Sequence, residues 1–99
     1  MRYYPLFVRL EGRPCVVIGG GEEAERKVRG LLSAGALVTL VGPELTPGLA
    51  ALVAEGAIAH RAGRYRAGDL AGAFLAYAAG DDEPVNAAIA AEAEAEGVL

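Results

Sequence analysis

The sequence predicts a doubly wound α/β fold with a mostly parallel sheet. Short apolar runs without alternation, such as residues 15–18, are typical of strands that are covered on both faces. Between these runs, apolar residues recur three and four positions apart, which is the pattern of amphipathic helices. From the run at residues 15–18 onwards, the order β-α-β-α-β-β-α favours parallel strands that are joined by right-handed crossovers.

Length and composition narrow the class of protein. The 99 residues are enough for one domain, which we expect to span residues 1–99, and 54% apolar residues indicate a globular chain. A net charge of −4 argues against nucleic acid or an anionic membrane as a partner. Cys15 is the only cysteine, which excludes an intramolecular disulfide and predicts a cytoplasmic location. With a single histidine it also rules out a metal site of soft ligands.

Two predicted strands precede the first helix. Residues 6–10 alternate weakly between apolar and other residues, which predicts a half-buried strand, and residues 15–18 predict a strand that is buried on both faces. A helix is predicted from Glu22 to the glycine at position 35, a residue type that commonly ends helices. One stripe of this helix is apolar, formed by Ala24, Val28, Leu31 and Leu32.

The middle of the chain predicts another strand–helix–strand unit. Residues 36–41 form an apolar run that is closed by Gly42-Pro43. Thr46-Pro47 then combines an N-cap residue with proline in the first turn, so a helix is expected to begin there and to end at Gly56. Residues 57–60 are expected to form a short third strand of this α/β unit.

The last part of the chain predicts one more strand and one more helix. Residues 63–72 are polar and rich in glycine, so at most one helical turn is expected near residues 67–70. Residues 73–78 predict a strand. Asp81 or Asp82 is suited to cap a last helix that continues to about residue 96. Its outer, solvated face is expected to carry three acids, Glu92, Glu94 and Glu96.

A glycine motif connects the buried strand at residues 15–18 to the first helix. Gly19, Gly20, Gly21 and Ala24 match the pattern G-x-G-x-x-G/A in this position. The first glycine permits a tight turn, the second lets the backbone approach a pyrophosphate, and the small third residue allows close helix packing. The sequence therefore predicts a Rossmann-like domain that binds a dinucleotide. The alternative is that the glycines only make a tight turn.

Two features of the sequence bear on the strength and type of cofactor binding. Glu22 and Glu23 place negative charge near the pyrophosphate, so we expect weak binding unless Arg26 and Lys27 offset it through pairs four residues apart. Those two cations could instead bind a carboxylate of the substrate.

The second feature is the end of the predicted strand at residues 36–41. It closes with Gly42-Pro43 where an acid for the cofactor's ribose is usual, and Glu44 is the nearest substitute. No arginine stands there to receive a 2′-phosphate, which favours NAD over NADP.

Other polar residues have structural and functional interpretations. Asp81 and Asp82 follow a strand at its carboxyl end, where they could polarise a substrate as well as cap a helix. Asn86 is expected to face solvent, with the crevice as the alternative. His60 is interpreted as a residue on the sheet and Cys15 as a core residue. Three arginines in the polar segment are interpreted as solvated or as contacts to an acidic substrate: Arg61, Arg64 and Arg66.

The residues of these motifs, and their order in the chain, resemble those of a known family, the N-terminal module of siroheme synthase. The module is the NAD-dependent precorrin-2 dehydrogenase and sirohydrochlorin ferrochelatase. The most specific likeness is the triple glycine followed by Ala24-Glu25-Arg26-Lys27. The remaining likeness comprises Tyr4-Pro5-Leu6-Phe7, Gly12-Arg13-Pro14, residues 32–36, Val38-Thr39, Pro43-Glu44-Leu45, Asp81-Asp82 and Val85-Asn86.

The resemblance implies a bacterial cytoplasmic enzyme that oxidises precorrin-2 to sirohydrochlorin in siroheme and porphyrin biosynthesis. It implies that NAD is the cofactor, that iron insertion follows in the full-length protein, and that the protein is a homodimer. The residues it assigns to the cofactor are Gly19, Gly20, Gly21, Glu22, Glu23, Pro43, Glu44, Ala79 and Gly80. The resemblance leaves the catalytic residue unknown.

The chain also departs from that family. The family usually has threonine where Gly80 stands, and its catalytic aspartate lies in a strand that would follow Leu99. We therefore expect a domain that is truncated after its last helix, with a free edge on its last strand. Such a chain is expected to bind NAD without turning over precorrin-2. A non-catalytic NAD-binding regulatory module and a purely structural module are the alternative functions.

Overall fold

A parallel sheet of four strands forms the centre of the structure. The strands are β1 (Pro14–Ile18), β2 (Leu37–Gly42), β3 (Ala59–Ala62) and β4 (Leu75–Ala78). They lie in the order β3-β2-β1-β4, with Cys15 paired to Val38 on one side and to Leu75 on the other. The order and the parallel direction confirm the predicted α/β class. This computed structural model describes residues 6–99, and the Tyr4-Pro5 part of the resemblance lies outside the described residues.

Three helices cover the two faces of the sheet: α1 (Glu22–Ser33), α2 (Pro47–Ala54) and α3 (Glu83–Glu96). Helices α1 and α2 pack on one face, where Val28 and Leu49 are fully buried. Helix α3 packs on the opposite face through Ile89. Each β1 side chain from Cys15 to Ile18 is buried against one of these two layers, as predicted for a strand covered on both faces.

The helix ends follow the predicted signals. The Thr46 hydroxyl accepts a hydrogen bond from the Leu49 amide at 3.1 Å and begins α2. Of the two candidate caps for α3, Asp82 accepts from the Val85 amide at 3.1 Å. Gly35, after the end of α1, has a φ of +82°, a conformation that favours glycine. The predicted helix ends are therefore confirmed. They could be predicted from the sequence because each depends on residues only a few positions apart.

The strand predicted for residues 6–10 is wrong, because this segment has no regular secondary structure. Phe7 is fully exposed and Leu6 is 62% exposed, while Leu10 alone of these residues packs against the core. The physical reason is the sheet order: β1 already has β2 and β4 as neighbours, so a segment joined to β1 by a short turn finds no free edge beside it.

The connection from β3 to β4 crosses the α3 face as a series of turns. Leu70 is its fully buried anchor. The Glu92 carboxylate of α3 accepts hydrogen bonds from the amides of Gly68 and Leu70, both at 3.1 Å, and from the Tyr65 hydroxyl. Glu92 was expected on the solvated face of α3; that expectation is wrong, since Glu92 fastens this connection to the helix.

The outer edge of β4 carries one residue of a further parallel pairing. The Leu99 amide donates to the Phe74 carbonyl at 3.1 Å, and the Ala76 amide lies 3.5 Å from the Leu99 carbonyl. This is the bonding pattern of parallel strands. Leu99 belongs to no strand, so β4 is the edge of the described sheet, as expected, apart from its pairing with this one residue.

Candidate dinucleotide site

The glycine loop lies where β1 ends, between the ends of β2 and β4. Gly19 has a φ of +135°, and its amide donates to the Val41 carbonyl of β2 at 2.8 Å. On the other side, the Ala79 amide donates to the Ile18 carbonyl at 2.8 Å. The chain leaves β1 in one direction for β2 and β3 and arrives in β4 on the other side. This is the crevice at which open α/β sheets bind ligands.

Gly20 is in close contact with the loop that follows β2. A Cβ atom at this position would stand 1.6 Å from the Glu44 carbonyl oxygen. The Thr46 amide donates to the Gly20 carbonyl at 2.9 Å. Glycine is required here by packing, whether or not a ligand binds.

Gly21 is different, because neither its backbone nor its neighbours require glycine. It precedes α1 with a φ of −91°, which other residues adopt, and a Cβ atom would meet nothing within 4 Å. The space in front of Gly21 is open. The glycine motif predicts that a ligand approaches the backbone closely at this position.

The first turn of α1 opens towards the same space. The first intrahelical hydrogen bond runs from the Glu25 amide to the Gly21 carbonyl at 3.0 Å. The amides of Glu22, Glu23 and Ala24 precede it and point out of the helix end, where the helix dipole also favours an anion. This end of α1 can therefore receive a phosphate group.

A groove leads from the glycine loop along the end of β2. Gly20 and Gly21 form one side, and residues 43–46 form the other. Glu44 is exposed there, in the position expected for the acid that binds the ribose of the cofactor. The loop and the groove thus bring together three predicted segments: Gly19 to Gly21, Pro43-Glu44 and Ala79.

Two side chains bind the Glu23 carboxylate. Its Oε2 atom accepts a hydrogen bond from the Tyr77 hydroxyl of β4 at 2.8 Å, and its Oε1 atom pairs with Arg26. Of the two acids that were expected to weaken anion binding, Glu23 is half-buried and has two side-chain partners, whereas Glu22 is exposed.

The ion pairs on α1 also differ from the predicted ones. Arg26 pairs with Glu23 three residues away rather than with Glu22, and Arg29 pairs with Glu25 at 3.0 Å. Lys27 lies over the Tyr77 ring, 4.7 Å from its centroid. The predicted Glu22–Arg26 and Glu23–Lys27 pairs are wrong, because the side chain of Tyr77 attracts both Glu23 and Lys27.

Residues after β4 fix the other side of the crevice. The side-chain amide of Asn86 donates to the Gly80 carbonyl at 3.0 Å in an exposed contact, so Asn86 is partly open to solvent, as expected, and also binds the turn after β4. Asp81 is exposed, whereas Asp82 caps α3. Asn86 binds the turn at Gly80, and Asp82 fixes the start of α3 directly after that turn.

The other polar candidates have structural contacts. Cys15 is 1% exposed in the core, and burial raises the pKa of its thiol. The His60 Nε2 atom lies 2.9 Å from the Gly42 carbonyl oxygen. Arg61 of β3 pairs with Asp69 of the β3–β4 connection. These contacts agree with the structural interpretation of Cys15 and His60.

Sequence reasoning missed three residues at this site. Leu45 and Thr46 line the groove, and Tyr77 holds Glu23. Thr46 was recognised as a helix cap, but its place in the groove follows from the packing of the loop against Gly20. Tyr77 lies 54 residues from Glu23, so no local pattern connects them.

Comparisons with known proteins agree with the geometry. The model of a protein family described as "Putative NAD(P)-binding" matches residues 6–99. A siroheme synthase of Chromobacterium violaceum is 50% identical over all 99 residues, which cover 21% of that protein. A siroheme synthase of Methylobacillus flagellatus is 50% identical over 98 residues, 99% of this chain and 21% of that protein. The chain thus spans about a fifth of these curated relatives.

A solved structure is similar to this chain in both fold and sequence. It is named "SirC, precorrin-2 dehydrogenase" and superposes with a TM-score of 0.79 at 30% identity. The match covers 86% of this chain and 43% of that one.

Proposed function

The chain belongs to the family described as "Putative NAD(P)-binding" and is similar to siroheme synthases over its whole length, and we propose that it binds NAD for the oxidation of precorrin-2. Sirohydrochlorin is the product of this oxidation. Membership of the family places the chain among nucleotide-binding proteins. The choice of NAD over NADP, the substrate and the reaction are the proposal.

The observation that carries the proposal is the open space in front of Gly21. Gly20 is explained by its contact with Glu44, but Gly21 has an ordinary φ and nothing within 4 Å of a Cβ position. A loop that served only as a turn would have no need of glycine there. A pyrophosphate lying against the backbone would exclude a side chain.

The residues of the site have distinct roles in this proposal. The amides at the start of α1 (Glu22–Ser33) donate to the pyrophosphate, and Glu44 accepts hydrogen bonds from the ribose next to the adenine. Gly19, Ala79 and Gly80 border the part of the crevice that would contain the nicotinamide. NAD, when bound, accepts a hydride from the substrate. The Glu44 carboxylate would repel a 2′-phosphate, which supports NAD over NADP.

The substrate is proposed from the relatives. Siroheme synthases are 50% identical to the chain over its whole length, and the solved structure that resembles it is named as a precorrin-2 dehydrogenase. Iron insertion and a homodimer stay predictions from the resemblance. The cytoplasmic location stays a prediction as well; among residues 6–99, no helix is both long enough and apolar enough to cross a membrane.

Cofactor binding is tested by calorimetric titration of NAD and NADP into the wild type and Gly21→Val. We expect NAD to bind more tightly than NADP, and we expect Gly21→Val to abolish NAD binding, since its side chain would occupy the pyrophosphate's approach. Because the space at Gly21 is open, the variant should keep its melting temperature. Equal NAD affinities of the two folded proteins would contradict the assignment of the site.

Substrate oxidation is tested in a chimera. This chain replaces the matching segment of the Chromobacterium violaceum siroheme synthase, and NADH formation from precorrin-2 is measured. We expect turnover that Gly21→Val abolishes. A chimera that binds NAD and does not oxidise precorrin-2 would favour a non-catalytic NAD-binding module.

A further inference from the structure

Two consecutive acids stand at the end of α1 (Glu22–Ser33) that is proposed to receive the pyrophosphate. A glutamate in the first helical turn is attracted to the free amides and to the positive end of the dipole of its own helix, and its carboxylate can approach them. It would then occupy the donors that a phosphate needs and would repel the phosphate as well. What keeps such a carboxylate away therefore affects cofactor affinity.

Of the two acids, Glu23 has side-chain contacts that can keep its carboxylate from the start of α1. Both of its carboxylate oxygens are occupied, one by the Tyr77 hydroxyl at 2.8 Å and the other by Arg26. The Tyr77 backbone is fixed within β4 (Leu75–Ala78), paired in register with Val17 of β1. Lys27 covers the face of the Tyr77 ring. The hydroxyl is therefore presented from the sheet at a defined place beside α1.

We propose that Tyr77 is a positioning residue that draws the Glu23 carboxylate away from the start of α1 and thereby strengthens binding of the cofactor's pyrophosphate. This inference rests on the proposed NAD site. Tyr77 itself is not expected to touch the reacting atoms.

The protonation of Tyr77 agrees with this role. The hydrogen bond to Glu23, burial and the charge of Glu23 raise the pKa of Tyr77 above 10.0, and the charge of Arg26 opposes this effect. The phenol therefore stays protonated, and able to donate to Glu23, at neutral pH. Glu23 and Arg26 are the charged groups that act on it, with Lys27 over its ring.

Loss of the hydroxyl should release Glu23 and leave the fold in place, because phenylalanine keeps the ring. NAD affinity should fall about two- to fivefold at low salt, which is the modest effect expected of a single charge at a helix end. Salt should reduce the loss because it screens the released carboxylate.

The experiment is a double-mutant cycle read by calorimetric titration of NAD at low and high salt, with Tyr77→Phe, Glu23→Gln and both together. We expect the loss for Tyr77→Phe in the wild type and no loss when Glu23 is already glutamine. Tyr65→Phe is the matched control, because it removes a tyrosine hydroxyl that binds a glutamate, Glu92, on the opposite face of the sheet. The control should keep the wild-type affinity.

The outcomes separate this inference from the proposed function. Wild-type protein that fails to bind NAD would overturn the proposed function and this inference with it. Wild-type binding with an unchanged affinity of Tyr77→Phe would overturn the inference alone. An equal loss in the presence and absence of Glu23→Gln would show that Tyr77 acts through the fold. As an independent readout, spectrophotometric titration of the phenols should show that Glu23→Gln lowers the pKa of Tyr77; no change would contradict the contact.

Discussion

The three consecutive glycines of the loop have three different physical reasons. Gly19 adopts a φ of +135°, which residues with a side chain rarely adopt. Gly20 lies against the Glu44 carbonyl, where a Cβ atom has no room. Gly21 has an ordinary backbone and open space around it. Gly21 is thus the one glycine of the three whose lack of a side chain is not explained by the fold. Substitutions at Gly20 should therefore affect stability, and substitutions at Gly21 should affect ligand binding.

Gly20→Ala should therefore reduce stability. The methyl group would stand 1.6 Å from the Glu44 oxygen, so the loop after β2 (Leu37–Gly42) must move. Overpacking of this kind costs about 1–3 kcal/mol, which thermal denaturation followed by circular dichroism would measure. Gly21→Ala is the control and should change stability by less than about 0.5 kcal/mol. Equal melting temperatures of the two variants would show that the contact at Gly20 is not needed.

At the scale of the elements, side chains fasten the segments that form the site. The Thr46 hydroxyl caps α2 (Pro47–Ala54) and also donates to Glu25 of α1 at 2.6 Å. This hydrogen bond, followed by those from Arg29, lowers the pKa of Glu25. Thr46 therefore links the starts of α1 and α2 beside the groove, although local sequence rules identify it only as a helix cap.

The β3–β4 connection is fastened to α3 (Glu83–Glu96) in a comparable way by Tyr65 and Glu92. Burial first, and then the hydrogen bond to Glu92 and its charge, raise the pKa of Tyr65 from 10.0 to about 12. The folded protein thus keeps a proton that the unfolded chain releases. The stability that this proton contributes is complete below pH 10.0 and is lost as the pH rises to about 12.

This pH dependence predicts the behaviour of Tyr65→Phe. Chemical denaturation across the alkaline range should show a steeper loss of stability in the wild type than in Tyr65→Phe, since phenylalanine has no proton to release. Tyr77→Phe provides the comparison with another hydrogen-bonded tyrosine. Parallel curves for the wild type and Tyr65→Phe would mean that Tyr65 ionises equally in the folded and unfolded chain.

At the scale of the whole molecule, the strand order creates the binding crevice. The order β3-β2-β1-β4 places the end of β2 on one side of the glycine loop and the end of β4 on the other. Segments that are distant in the chain, Pro43-Glu44 and Ala79-Gly80, thereby flank the same loop. A ligand in this crevice contacts groups that are together only in the folded state, so binding should stabilise the fold.

NAD should accordingly raise the melting temperature. At a free concentration ten times the Kd, linkage gives about 1.4 kcal/mol. For a domain of this size, that corresponds to about 5–10 °C. Gly21→Val, melted with and without NAD, is the control and should show no shift. A shift of equal size in the variant would place the binding site away from the glycine loop.

Local sequence patterns predicted much of the fold. The buried β1 strand, the start of α2 at Thr46 and the end of α1 at Gly35 were all correct, because each depends on chemistry within a few residues. The glycine motif predicted the position of the candidate site in the same way. Its strand-to-helix context is contained in a continuous stretch of the chain.

The sequence by itself thus located the strands and helices from residue 14 onwards, and it predicted the glycine turn that joins β1 to α1. The tertiary structure alone decided that residues 6–10 form no strand, that Glu92 fastens the β3–β4 connection, and that Tyr77 holds Glu23. The physical reason is distance along the chain. Capping and periodicity act between near neighbours, whereas these three outcomes depend on which strand edges are occupied and which side chains meet once the sheet has formed.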